Sequence, residues 1–318
     1  MARPQTLPLL SSLFTLISFP SGLIGTTFTI SNNCGYTVWP GVLSGAGTDP
    51  LDTSGFYLRS GESRALLIPD SWSGRLWART HCSTDPSTNQ FSCATGDCGS
   101  GKTDCSGKGA APPATLAEFT LNGIDDLDFF DVSLVDGYNL PMLVAPVDGR
   151  IRGGNCTATG CPVNLNDHCP SELRVILSDS DGKSVACRSA CEAFDTPEFC
   201  CSGAYGNPKT CKPSSYSKFF KEACPRAYSY AYDDASSTFT CPAGGNYLIT
   251  FCPSTSSQKA GTTNSLARGI PLINDTMVFL VPVLSRAAAP ANPFSAVVVF
   301  VVAGLIIFWP ATWWWLLF

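Results

Sequence analysis

From residue 26 to about residue 150, apolar and polar positions alternate in short runs separated by turn residues. In DFFDVSLVDGYNLP, Asp128 to Pro141, the apolar Phe130, Val132 and Leu134 interleave with the polar Asp131 and Ser133. That period of two predicts a half-buried β-strand. Further strands are predicted in TFTISNNCGYTVWPGVL, GFYL, SRALLIP, GRLWART, LAEFTL and MLVAPV. Helical periodicity is nearly absent there, which predicts a β-sandwich or barrel. One geometric problem stands out. On a flat strand Asp131 and Asp136 have opposite parity and face opposite ways. The Asp136-Gly137 turn signal ends the strand, however, so Asp136 is predicted to swing towards the side that Asp131 faces.

The pattern changes from Cys156 to Cys224, a cysteine-rich stretch with little continuous apolar sequence. Short helices are predicted near ACRSACEAF and SYSKFFKEAC, and crosslinks must stabilise a region with so small a core. Strand texture returns in STFTC and NYLITFC. Residues 253–293 read as a Ser/Thr/Pro/Ala-rich linker, and 294–318 as a hydrophobic tail without a single charge.

Cysteine usage then fixes the compartment. The chain of 318 residues has 16 cysteines but only two histidines, His81 and His168, and lacks repeated CxxC pairs, so disulfides rather than zinc are expected. Residues 1–25 read as a secretory signal peptide: Arg3, then an apolar run, and no acid. The tail reads as a glycolipid-anchor signal in preference to a transmembrane helix, with AAAPA at 287–291 as attachment region. Either reading tethers the folded part to the outer face of the plasma membrane. Sequons stand at Asn155 and Asn274.

Charge narrows the partners. Residues 26–252 contain 16 Lys and Arg against 24 Asp and Glu, a net charge of −8. Such a surface excludes nucleic acid and anionic lipid and suits neutral or basic ligands. Neither histidine lies in a nucleophile motif, and His81, beside Cys82, is expected at the surface. The glycine-rich GDCGSGKTDCSGKG has only the composition of a phosphate loop; with two cysteines it reads as a stapled surface loop. Arg79 in WART reads as a structural hydrogen-bonding residue.

The stretch NQFSCATGDCGSGKTDC, Asn89 to Cys105, resembles the signature of thaumatin-like proteins, the pathogenesis-related family 5 of plants. NNCGYTVWPGVLSGAGT from Asn32, PPATLAEFTL from Pro112, DVSLVDGYNLPM from Asp131, CPSELRV from Cys169 and AYSYAYDDASSTFTCP from Ala227 extend the resemblance over 26–252. The departure is Asn89-Gln90, where the family usually has Gly and often Arg. The resemblance implies a mainly β fold. A β-sandwich (26–155 plus 225–252) would carry a disulfide-rich loop domain with short helices (156–224) and a small third loop domain. It also implies eight disulfides: Cys34–Cys252, Cys82–Cys93, Cys98–Cys105, Cys156–Cys241, Cys161–Cys224, Cys169–Cys187, Cys191–Cys200 and Cys201–Cys211.

The resemblance further implies an acidic interdomain cleft lined by Arg75, Glu118, Asp131, Asp136 and Asp234. Four carboxylates around one Arg repel one another, which raises the pKa of at least one acid while the Arg keeps others ionised. Glycoside hydrolysis needs such a split, with Glu118 as the candidate acid and Asp131 as the second carboxylate. The same carboxylates can instead only bind sugar hydroxyls, with Phe119, Phe129 and Tyr138 as candidate stacking rings and Phe119 rather a core residue. The expected function is extracellular, antifungal binding of β-1,3-glucan or another fungal wall or membrane component. The alternatives are a weak endo-β-1,3-glucanase and a tethered cell-surface binding or signalling protein. No cofactor or metal and a monomeric state are expected; a sweet-tasting role lacks its basic surface.

Overall fold

The computed structural model describes residues 25–147 and 155–254. The expected signal peptide (but for Gly25), nearly all of the linker, the hydrophobic tail and the Asn274 sequon lie outside these residues. Among the described residues the strands are β1 (Thr26–Asn32), β2 (Trp39–Ser44), β3 (Ser63–Ile68), β4 (Ser73–Thr84), β5 (Phe91–Thr95), β6 (Leu116–Thr120), β7 (Leu127–Ser133), β8 (Met142–Pro146), β9 (Thr159–Cys161), β10 (Arg174–Ile176), β11 (Ser184–Cys187), β12 (Phe239–Pro242) and β13 (Tyr247–Phe251). The helices are short: α1 (Ala190–Phe194), α2 (Pro197–Cys200), α3 (Ser215–Ala223) and α4 (Asp234–Ser237).

Two sheets carry the architecture. One has the order β3-β1-β13-β8-β9 and the other β12-β7-β6-β4-β2, with β5 added along the far end of β4. Alternation explains the layering: Phe28 and Ile30 of β1 and Tyr247, Ile249 and Phe251 of β13 are buried, and from the other sheet so are Leu76, Phe119, Phe130 and Val132. These two inner faces meet. Phe28 packs on Phe119 with ring centroids 4.3 Å apart, and Tyr247 lies 5.3 Å from Phe119 and 5.1 Å from Phe130. The fold is therefore a β-sandwich, with an aromatic cluster at its centre.

The predicted elements need two corrections. TFTISNNCGYTVWPGVL divides into β1 and β2 around Cys34, and GFYL forms isolated bridges (Val38 with Leu58, Gly41 with Gly55) instead of a strand. Pro40 supplies the reason. Phe56 N–H donates to the Pro40 carbonyl at 3.2 Å, but proline has no N–H to return the bond. The cysteine-rich segment adds Leu165, Leu173 and Phe220 to the core but holds only short elements. It contains the hairpin β10–β11, α1, α2 and α3, and every one of its cysteines is crosslinked. The eight disulfides are Cys34–Cys252, Cys82–Cys93, Cys98–Cys105, Cys156–Cys241, Cys161–Cys224, Cys169–Cys187, Cys191–Cys200 and Cys201–Cys211. Cys34–Cys252 joins the segments that follow the parallel pair β1 and β13.

Candidate ligand-binding cleft

The outer face of the β2-containing sheet is polar where its inner face is apolar. Arg75 of β4 lies opposite Glu118 of β6, and Glu118 opposite Asp131 of β7. Their chain neighbours Leu76, Ala117, Phe119, Phe130 and Val132 are buried on the other side, so pleating alone puts the three charges in one row. Directly opposed residues stand about 4.5–5.5 Å apart at Cβ. Farther along the same face Trp77 is buried beneath Cys98, Cys105, Ala114 and Leu116. The stapled loop thus covers one half of this face and leaves the charged half as the floor of a groove of ≈ 460 Å³, bordered by Ser44, Gly45, Thr120 and Phe129.

Burial, first, pushes the Asp131 carboxyl well above the usual range, and the charges of Glu118 and Asp234 push it further. Its Oδ1 is buried without a hydrogen-bond partner. Burial also raises Glu118; Arg75 opposes the rise and Asp136 adds to it. Among the described residues Arg75 is in neither of the ion pairs, so it acts on Glu118 through space. Both carboxyls are therefore raised, with burial as the first cause in each.

The two remaining residues reach the row from turns. Gly137 at φ +83° donates its N–H to the Leu134 carbonyl at 3.0 Å, which closes the turn that carries Asp136 off the strand. Asp136 acts on Glu118, yet it borders a different cavity, one that it shares with Glu192. Asp234 opens α4 and accepts a 2.8 Å hydrogen bond from Tyr228 Oη. Its neighbour Asp233 is structural, since it pairs with Lys221 at 2.9 Å and accepts from Ser229 N–H and Oγ. The five charges thus form one electrostatically linked set, drawn from β4, β6, β7, the turn after β7 and the start of α4.

A model of the thaumatin family matches residues 32–253, nearly the whole folded segment. The chain belongs to the thaumatin family. Thaumatin-like protein 1 of Arabidopsis thaliana is 55% identical over 251 residues, 77% of this chain and 93% of that protein. A Prunus avium protein named glucan endo-1,3-beta-glucosidase is 52% identical over 244 residues, 77% of this chain and 97% of its own. The PR5-like receptor kinase of Arabidopsis thaliana is 54% identical over 261 residues, 80% of this chain but only 39% of the kinase.

In this thaumatin-like domain the candidate stacking rings separate. Tyr138 is fully buried and its hydroxyl donates to the Val163 carbonyl at 2.9 Å, so it cannot meet a ligand; the turn that frees Asp136 also folds Tyr138 inward. Phe119 is a core ring. Phe129 alone of the three is half-buried at the groove edge. Arg79 is fully buried and donates to the carbonyls of Trp39, Pro40, Lys102 and Thr103, clamping the stapled loop to β2. Asn155 is half-buried, and its amide donates to the Thr238 carbonyl at 2.7 Å. Among the described residues no three His, Cys, Asp or Glu side chains are arranged to hold a metal ion.

Sequence reasoning overlooked Glu192. It stands in the first turn of α1 with Oε2 buried and unpartnered. Burial pushes its carboxyl up to about 7, Arg188 opposing and Asp136 adding. No sequence signal separates it from the exposed acids of the same segment, since only the packing of α1 against the turn at Asp136 makes it unusual.

Proposed function

We propose that this thaumatin-like protein is an extracellular defence protein that binds β-1,3-glucan in the groove floored by Arg75, Glu118 and Asp131. One observation carries the reading: three charged residues in strand register on one sheet face, two of them half-buried carboxyls raised by burial. Carboxyl oxygens accept hydrogen bonds from sugar hydroxyls, a neutral polymer escapes the repulsion an anion would meet, and Phe129 offers a ring at the edge. The glucan-directed name of the Prunus avium relative supports the same ligand class. The test is isothermal titration of the secreted domain with soluble β-1,3-glucan. We expect binding that Glu118→Gln and Asp131→Asn each weaken about tenfold, the loss of a hydrogen bond to a charged group. Equal binding by wild type and both variants would remove the groove from consideration.

A second reading, weak endo-β-1,3-glucanase activity, is favoured by the direct cross-strand opposition of Glu118 and Asp131, which sets two carboxyl groups side by side on one face. Burial raises both carboxyls, so the pair can hold one proton between an acid and a carboxylate. Reducing-sugar release that survives Glu118→Gln excludes it. We further read residues 1–25 as a signal peptide and 294–318 as a glycolipid-anchor signal, in keeping with an extracellular disulfide-rich domain. Phospholipase release from intact cells is the expected result, and retention would point to a membrane helix.

A further inference from the structure

The free edge of β3 takes no part in the glucan groove, which lies on the outer face of the other sheet. Among the described residues β3 pairs with β1 alone, so its far side is an open sheet edge six residues long. Asn32 N–H donates to the Glu62 carbonyl at 2.9 Å, and Gly61 N–H donates to the Asn32 carbonyl at 2.7 Å. With Gly61 at φ +79°, this is a glycine bulge that sets the phase of the ladder. Antiparallel bonding alternates from there. Arg64, Leu66 and Ile68 turn their N–H and C=O groups to β1, whereas Ser63, Ala65 and Leu67 turn theirs outward. Such a row is a template for another strand.

A groove of ≈ 470 Å³ lies beside the start of this edge, lined by Phe56, Tyr57, Leu58, Glu62, Ser63 and Arg64. Phe56 and Leu58 are buried beneath it, while Tyr57 is 51% exposed and offers its ring. The two arginines here differ. Arg59 lies 5.4 Å from the centroid of the Tyr57 ring and pairs with Glu62 at 3.4 Å. Arg64 lies 4.5 Å from the centroid of the Phe56 ring, and among the described residues it is in neither ion pair. An exposed guanidinium without a carboxylate, flanking free backbone donors and acceptors, is complementary to an extended chain that carries an acid. It also discriminates: a basic strand meets repulsion, and a neutral one leaves the guanidinium unpaired. Arg59 and Arg64 outnumber Glu62 locally, but the domain as a whole carries −8, so a strand with one acid fits better than one with several.

We propose that β3 docks an extended segment of a partner protein, which adds to this five-stranded sheet as a sixth strand and pairs a single acidic side chain with Arg64. Ser63, Ala65 and Leu67 supply the backbone hydrogen bonds. The side chain opposite Arg64 lies over the groove, next to Tyr57. Backbone pairing gives affinity and Arg64 gives selection. The proposal stands independently of the glucan reading.

The experiment titrates the secreted, disulfide-intact protein with the capped peptide Thr-Val-Thr-Glu-Thr-Val-Thr and with versions carrying Gln or Lys at the centre, read by two-dimensional NMR of the backbone amides. The Glu peptide is expected to bind at least about tenfold more tightly than the Gln peptide, the worth of one charge-assisted hydrogen bond, and the Lys peptide more weakly still. Shifts should concentrate on Ser63, Ala65 and Leu67. Arg64→Gln should erase the preference for Glu. Ala65→Pro removes an outward N–H at an edge position where proline takes no bond from β1, and should weaken the Glu peptide about tenfold. N-methylation of the peptide on the residues that face β3 removes the same class of bond without altering the protein, so a folding defect cannot mimic the result. No saturable binding by wild type at millimolar peptide overturns the proposal. So does a Glu preference that survives Arg64→Gln, or binding that survives both Ala65→Pro and N-methylation. Self-association of the peptide-free protein through these same amides makes a second copy the occupant and overturns the assignment of partner.

Discussion

Replacing Asp131 by Asn preserves the shape of the side chain and deletes its titration. The direction of the effect follows from the raised carboxyl. A native state that holds a proton more tightly than the unfolded chain is favoured most below the ordinary Asp value of about 3.9, and loses that advantage as pH rises through its own higher value. Above that point the native protein must carry a charge with a buried, unpartnered oxygen facing Glu118 and Asp234. An orphaned buried polar atom costs about 1–3 kcal/mol. Asn leaves an unpaired amide atom behind, which cancels part of this. The net expectation is a gain of about 1–2 kcal/mol for Asp131→Asn at pH 7.5 and almost none near pH 4.

Guanidinium unfolding of wild type and variant at the two pH values, disulfides intact, measures the difference directly. Other titrating groups cancel in the comparison. For a domain of this size each kcal/mol appears as roughly 2–4 °C in Tm. The same substitution should weaken glucan binding, so stability and affinity move in opposite directions, the pattern of a site that keeps unfavourable charge for use. Loss of stability at pH 7.5 would show a carboxylate that is well paired after all, and an equal gain at both pH values would show that ionisation plays no part.

Three further outcomes follow from the geometry. Arg79→Lys should cost about 2–4 kcal/mol in denaturant unfolding, because an ammonium cannot reproduce a fork that reaches four carbonyls, and the stapled loop should become the first site of proteolytic cutting. Gly137→Ala should cost about 1–3 kcal/mol and lower glucan affinity together, since a Cβ at φ +83° would meet Pro113 Cβ at 2.7 Å and the Cys187 carbonyl at 2.8 Å and so displace Asp136. Intact-mass measurement of the secreted protein should find no glycan on Asn155, whose amide is engaged with Thr238 and half-buried.

The strands that carry the site were legible in the sequence wherever one face is buried. LAEFT and LDFFDVS alternate cleanly because Phe119, Phe130 and Val132 must face the aromatic core, and that forces Glu118 and Asp131 to the other side. Their register was not legible, since it depends on which strands pair, and β1 pairs in parallel with β13 from the opposite end of the domain. The disulfide connectivity was likewise beyond spacing arithmetic and entered only through the family resemblance. Asp233 and Asp234 are adjacent and alike in sequence; Lys221, folded back from α3, and Ser229 make the first structural, while the second acts on Asp131 through its charge. Tyr138 and Glu192 misled for a related reason. Both owe their roles to the turn at Asp136, which tucks one inward and crowds the other, and no local pattern encodes a contact between distant segments.

A row of like charges on one sheet face needs something to hold it together. The inner face supplies part of this, because each charged position alternates with a ring or branched chain in the aromatic core. That burial stabilises the sandwich without fixing the turns that present Asp136 and Asp234. Crosslinks do the rest. Cys34–Cys252 spans 218 residues and in the loop-entropy account contributes about 5 kcal/mol, more than the about 1–3 kcal/mol that the orphaned Asp131 oxygen costs. Cys191–Cys200 and Cys201–Cys211 close short loops of 9 and 10 residues, where the entropic gain is smaller but the effect on shape is local and falls on the walls of the Glu192 cavity. The long crosslink therefore lets the domain tolerate unfavourable charge, and the short ones hold that charge in position, as the proposed recognition of an uncharged polymer would require.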